Sequence, residues 1–140
     1  MKIYNGDGIL LGRLCSAVAK ELLLGEEVKV VNCDKVVVSG NKKDVFAHYK
    51  QKQDRKGYPL KSSKNPRLSN QVVRKAIRGM LPWKAARGRE AFENVMCYIN
   101  LPEELNGKEM IVLKDASISK LPNLRFVRIQ EIVRFLGGKQ

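Results

Sequence analysis

Arg74, Lys75, Arg78, Lys84, Arg87 and Arg89 crowd into one short stretch, with Trp83, the chain's single tryptophan, among them. Guanidinium and ammonium groups at this spacing neutralise phosphates and release their counterions, and an indole between them offers a flat surface for stacking. Such residues recognise a polyanion; they do not make bonds. Groups that could make bonds are sparse. His48 is the only histidine, which leaves a metal site to carboxylates and scattered cysteines. Gly6-Asp7-Gly8-Ile9-Leu10-Leu11-Gly12 breaks the dinucleotide fingerprint because Leu11 stands where its third glycine belongs, and no glycine-rich loop ends in Gly-Lys-Ser/Thr. Asp7, Asp34 and Asp115 fall near strand ends, where turn and cap roles explain aspartates at least as well as catalysis does. No catalytic residue, metal or cofactor is expected.

The cations belong to a longer block. Residues 42–89 hold fifteen Lys or Arg against Asp44 and Asp54, a net +13, whereas the rest of the chain carries twelve basic and twelve acidic residues. A neutral remainder beside localised charge points to a docking face for nucleic acid. An anionic membrane is the weaker match, because the block lacks a helix with a broad Leu/Phe/Trp face. A solvated charge run explains Lys42, Lys43, Lys50, Arg55 and Lys56 most easily. It explains the aligned cations from Arg74 onward least.

The elements that position these residues follow from periodicity. Lys2 to Asn5 predicts a strand ended by the turn Gly6-Asp7-Gly8. Leu11, Leu14, Cys15, Val18 and Leu22 share a helical face opposite Arg13, Ser16 and Lys20, with Gly25 as the stop. Val28 to Val31 and Val36 to Val38 read as short strands, so the opening half predicts a βαβ unit. Asn41 to Lys52 predicts a helix carrying the first cations, and Gln53 to Pro66 a long surface loop that adds Lys61 and Lys64. Ser69 then caps a helix with Val72, Val73, Ala76 and Ile77 inward and Gln71, Arg74, Lys75 and Arg78 outward, stopped by Gly79. After Pro82, a helix from Ala85 to Asn94 sets Arg87 and Arg89 in its first turn, against the helix dipole unless an anion lies beside them. Val95 to Ile99, Met110 to Leu113 and Phe126 to Ile129 predict strands, and Gln130 to Leu136 a helix closed by Gly137-Gly138.

Length and the βαβ opening predict a single α/β domain over residues 1–140. Cys15, Cys33 and Cys97 are far apart and odd in number, which reads as reduced, buried thiols in a reducing compartment. No apolar run approaches the roughly 18 residues that span a bilayer, and Met1-Lys2-Ile3-Tyr4-Asn5-Gly6 lacks a signal-peptide core. The expectation is a cytoplasmic protein.

Arg78-Gly79-Met80-Leu81-Pro82-Trp83-Lys84, followed by Arg87-Gly88, closely resembles the signature of the universal large-subunit ribosomal protein L-thirteen family in its archaeal and eukaryotic form. Gly12-Arg13-Leu14 with Ser16, Val18-Ala19-Lys20 and Leu22-Leu23 resembles the family's first helix, and Val28 to Asn32 with Lys35-Val36-Val37 and Ser39-Gly40-Asn41 its second strand and following turn. The likeness runs to about Tyr98 and is loose beyond it. One departure is Asn65-Pro66-Arg67-Leu68-Ser69, where many members carry a more basic Arg-x-Pro-Ser stretch. The resemblance implies a single compact α/β domain with a mostly parallel central sheet flanked by helices and a basic loop and helix RNA-binding extension, non-catalytic and bound to large-subunit ribosomal RNA beside neighbouring ribosomal proteins, with no small-molecule substrate, no membrane, and a monomeric state off the ribosome. It points to Arg67 through Arg89 as the main RNA-facing surface, with Arg13, Lys42 and Lys43 as additional contacts. A regulatory RNA-binding module outside the ribosome shares these electrostatic features, and a nucleotide-binding α/β enzyme fits only the opening half.

Overall fold

The computed structural model describes residues 1–55 and 65–138. β1 (Lys2–Asn5), α1 (Leu11–Leu23) and β2 (Val28–Val31) form the expected βαβ unit, with Tyr4 opposite Val30 in parallel register. α1 buries Leu14, Cys15, Val18, Ala19 and Leu22, the stripe that its spacing predicts. Gly25, at φ +90°, ends the segment in a conformation that side chains disfavour.

After β2, Asn32 adopts a left-handed conformation and a 3-10 turn over Cys33–Lys35 carries the chain out of the sheet. β3 (Val37–Ser39) therefore pairs elsewhere, antiparallel to β5 (Phe126–Arg128). α2 (Lys42–Asp54), α3 (Ser69–Met80) and α4 (Ala86–Glu93) precede β4 (Val95–Cys97), which returns beside β2 with Val28 opposite Val95. The expectation of one mostly parallel central sheet is corrected. A three-stranded parallel sheet, in the order β1-β2-β4, stands with a separate antiparallel pair. The predicted strand at Met110 to Leu113 reduces to a single bridge between Ile111 and Tyr4, and α5 (Ile129–Phe135) follows β5 directly.

The basic helices are not an extension either. Val72, Val73 and Ile77 of α3, Leu81, and Ala91 of α4 pack in the same core as Leu14, Val18 and Val30. Burying three β-branched side chains from α3 ties the charged helix to α1 by the hydrophobic effect, at roughly 1.5–3 kcal/mol for each side chain. A second cluster joins Val45 of α2 to Val127, Ile132 and Leu136, with Phe46 and Phe135 stacked 4.5 Å apart on its rim.

Two helix-end expectations change. Leu68, not Ser69, holds the N-cap position of α3; Ser69 is the first helical residue, buried, with its hydroxyl making no hydrogen bond. Gly79 does not stop the helix, which runs on to Met80 and ends because Leu81, extended at φ −93° and ψ 149°, precedes Pro82. A residue before proline is pushed out of the helical region by the pyrrolidine ring.

Candidate nucleic-acid interface

α3 offers one face to the core and the other to solvent, and its outer face carries Arg74 and Arg78 one turn apart with Lys75 next to Arg74. The chain then turns through Leu81-Pro82-Trp83, where the Trp83 N–H donates to the Leu81 carbonyl at 2.8 Å and the Ala85 N–H to the Pro82 carbonyl at 3.0 Å. This turn folds the indole back against α3. Arg78 lies over it, its guanidinium carbon 3.9 Å from the ring centroid. Phe92 of α4 meets the indole edge-on at 5.3 Å and 87°, and Arg74 in turn lies 4.8 Å over Phe92. Two cation–π pairs and one aromatic contact thus form a continuous ladder, Arg78–Trp83–Phe92–Arg74.

An open groove of about 680 Å³ runs along this ladder, lined by Pro66, Gln71, Arg74, Lys75, Arg78, Trp83 and Phe92. Among the described residues no carboxylate lines it. Arg74 Nε is enclosed and makes no hydrogen bond. The ion pairs among the described residues, Met1–Glu26, Lys2–Glu21 and Lys42–Glu131, all lie elsewhere. Lys75 donates to the Asn65 side chain, and Arg67 Nε and Nη2 donate at 2.8 Å to the Gln53 amide oxygen once that amide is turned to satisfy both.

The structure brings some predicted residues together and leaves others apart. Arg74, Lys75, Arg78 and Trp83 share the groove. Lys84, Arg87 and Arg89 are exposed beyond it, in the turn and in the first turn of α4, which holds no acidic residue. Arg13 lines a different groove with Leu113 and Asp115, and its guanidinium donates to the Asp115 carbonyl at 2.8 Å. Lys42 is engaged by Glu131 at 2.7 Å, while Lys43, Lys50 and Arg55 are exposed on or just after α2. Lys56, Lys61 and Lys64 lie outside the described residues, as does most of the predicted Gln53 to Pro66 loop. Gln71, expected on the same outward face, lines the groove too, and Phe92 completes it without having been singled out in the sequence. Phe92's role depends on the close seating of α4 on the Pro82 turn, which helical spacing alone does not reveal.

The cysteines are free; Cys15 and Cys33 are buried, and Cys97 is only partly so, which corrects the expectation for that residue. Burial pushes the Cys15 thiol up to about 12. The hydrogen bond with Cys97, together with burial, raises that of Cys33 strongly. Neither is a nucleophile near neutral pH. No cluster of three or more metal-ligating side chains occurs among the described residues, and no described helix is long and apolar enough to cross a membrane.

Fold and site together define an α/β protein with a strongly basic helical face built around an aromatic ladder. The family model described as Ribosomal protein L13 matches residues 1–104, and the chain belongs to that family. Its relatives include the "Large ribosomal subunit protein uL13" of Archaeoglobus fulgidus, 40% identical over 136 residues that cover 96% of this chain and 86% of the relative. The proteins of the same description from Methanosphaera stadtmanae and Natronomonas pharaonis are 35% and 39% identical, covering 98% and 97% of this chain and 97% and 90% of their own lengths. The archaeal and eukaryotic resemblance read from the Arg-Gly-Met-Leu-Pro string is borne out.

Proposed function

We propose that this protein is a structural, non-catalytic constituent of the large ribosomal subunit, acting as one unit that binds large-subunit ribosomal RNA through the face from Arg67 to Arg89. The observation that carries the reading is the pair Arg74 and Arg78 on α3, held over an aromatic ladder with Lys75 beside them and no carboxylate in the groove among the described residues. Buried Val73 and Ile77 anchor the opposite side of the same helix, so the cations are presented from a rigid base. Rigid cations lose little ordering entropy on contact with phosphates, and counterion release supplies the drive. Family membership supports the same particle, since its relatives are named as large-subunit proteins. The ribosome places the protein in the cytoplasm, with other subunit proteins as neighbours. Lys84, Arg87, Arg89 and Arg67 extend the face, and Lys43, Lys50 and Arg55 add looser phosphate contacts.

Sucrose-gradient fractionation of cell extract tests this. The protein is expected to co-migrate with the large subunit and to stay there through a high-salt wash. Recovery only in light fractions would replace the assignment with an RNA-binding role outside the ribosome.

A further inference from the structure

The groove between α3 and α4 has an arrangement that RNA binding by itself does not require. One face of the Trp83 indole is already taken by Arg78 at 3.9 Å, and the Phe92 ring is taken by Arg74 at 4.8 Å and by the Trp83 edge contact at 5.3 Å. Each aromatic is therefore committed to a cation within the protein. A guanidinium held against a ring by a cation–π contact keeps its N–H donors available to whatever lies beside the ring. Two such groups, four residues apart on one helix, repel one another in the free protein. Arg74 Nε is enclosed without a hydrogen-bond partner, which leaves the outer N–H groups of that guanidinium to meet an anion. An anionic oxygen cluster in the groove relieves this repulsion by pairing with the outer N–H groups of both side chains. Lys75 and Gln71 supply further donors on the same wall, no acidic side chain among the described residues competes, and about 680 Å³ admits a nucleotide-sized stretch of backbone.

Resting on the RNA-binding reading above, we propose that this groove is a phosphate clamp for the RNA backbone, in which Arg74 and Arg78 form the fork and Trp83 and Phe92 are backing plates that hold it, not platforms for bases. Trp83 is then a positioning residue. Its removal frees Arg78 to swing into solvent, and the clamp loses a phosphate contact although no charge has been deleted. A base platform behaves differently: its removal weakens binding by the same factor at every salt concentration, because stacking displaces no counterion.

The test measures binding of the intact protein to full-length large-subunit ribosomal RNA transcribed in vitro, across a range of KCl concentrations. Variants are Trp83→Leu, Trp83→Phe, Arg78→Gln and the Trp83→Leu/Arg78→Gln double substitution, each checked for folding by circular dichroism. Arg78→Gln is expected to weaken binding roughly tenfold, as for a charge-assisted hydrogen bond, and to flatten the plot of log affinity against log salt by about 0.7–0.9. Trp83→Leu is expected to flatten it equally, the double substitution to add nothing further, and Trp83→Phe, which keeps a plate, to retain the native slope. An unchanged slope for folded Trp83→Leu, or additivity in the double variant, overturns the clamp. Because the leucine variant can fail to fold, native emission gives a second reading from the only tryptophan in the chain. RNA that closes on the clamp leaves emission nearly unchanged, whereas deep quenching shows a base stacked on the indole and overturns the proposal. Native protein whose binding ignores salt overturns the RNA-binding reading itself, an outcome distinct from either.

Discussion

Gly88 presses against Pro82 so closely that a Cβ on the glycine would come within 2.2 Å of the proline's carbonyl oxygen. That contact seats α4 on the turn carrying Trp83 and brings Phe92 to the indole. Gly88→Ala must push two backbone segments apart, and it is expected to destabilise the fold by about 2 kcal/mol or more. The aromatic ladder opens at the same time. Urea unfolding and near-ultraviolet circular dichroism of the tryptophan check both effects.

Gly79 is the contrasting case. It lies inside α3, exposed, with nothing within 4 Å of where a Cβ would stand. Gly79→Ala is expected to stabilise the protein by roughly 0.5–1 kcal/mol, because alanine loses less conformational freedom on entering a helix. A shift of the urea midpoint in the destabilising direction would contradict the helical assignment of this position.

Replacing Arg74, Arg78, Lys84 and Arg87 together by glutamine is expected to keep the fold and to abolish stable incorporation into the large subunit. The four side chains are exposed or only partly buried and none takes part in an ion pair found among the described residues. Thermal unfolding reads the first part, and gradient fractionation of cells expressing the variant reads the second. Normal incorporation would refute the interface.

The Lys42–Glu131 pair gives a pH signature. A hydrogen bond from Lys42 holds the Glu131 carboxyl below the ordinary glutamate range, and both groups are well exposed. A carboxyl that is more acidic in the folded state favours folding when ionised. The contribution is complete above the unfolded value of about 4.3 and disappears as pH falls through the lower folded value. Water and salt screen the pair, so it stays under about 1 kcal/mol. Glu131→Gln is expected to remove this acid-side loss in urea unfolding curves collected from neutral to acid pH.

Thiol chemistry offers an independent check on the core. Cys15 and Cys33 are buried with raised thiol pKa values, so both are expected to resist alkylation by iodoacetamide at neutral pH until the protein unfolds. Labelling of either at the rate of a free thiol would place it outside the core.

Periodicity located α1 and α3 because each has a clear inner stripe, and the βαβ opening followed from short β-branched runs on either side of α1. The departure of β3 was not legible, since Val37 and Val38 look the same in a parallel or an antiparallel partnership; the left-handed residue Asn32 and the 3-10 turn redirect them. Ile111 failed to extend into a strand because its backbone meets Tyr4 at only one bridge. At the site, charge and helical spacing found Arg74, Lys75 and Arg78, and interleaving with Lys84, Arg87 and Arg89 singled out Trp83. What spacing could not show was that Arg78 covers the indole, or that Phe92 joins it. Those contacts depend on the backbone approach of Gly88 to Pro82, which leaves no periodic trace.

The position of the basic helices between two neighbouring strands bears on how the chain folds. Val28 pairs with Val95 across the whole cationic block, so closing β2 against β4 requires the net +13 segment to be drawn together first. Non-local strand pairing is slow even in neutral chains, and here mutual repulsion of the connecting cations adds to the barrier. Salt or a short polyanion should therefore speed refolding of the isolated protein. A polyanion laid along the crossover would then act on folding as well as on binding, compacting the segment before β4 docks beside β2.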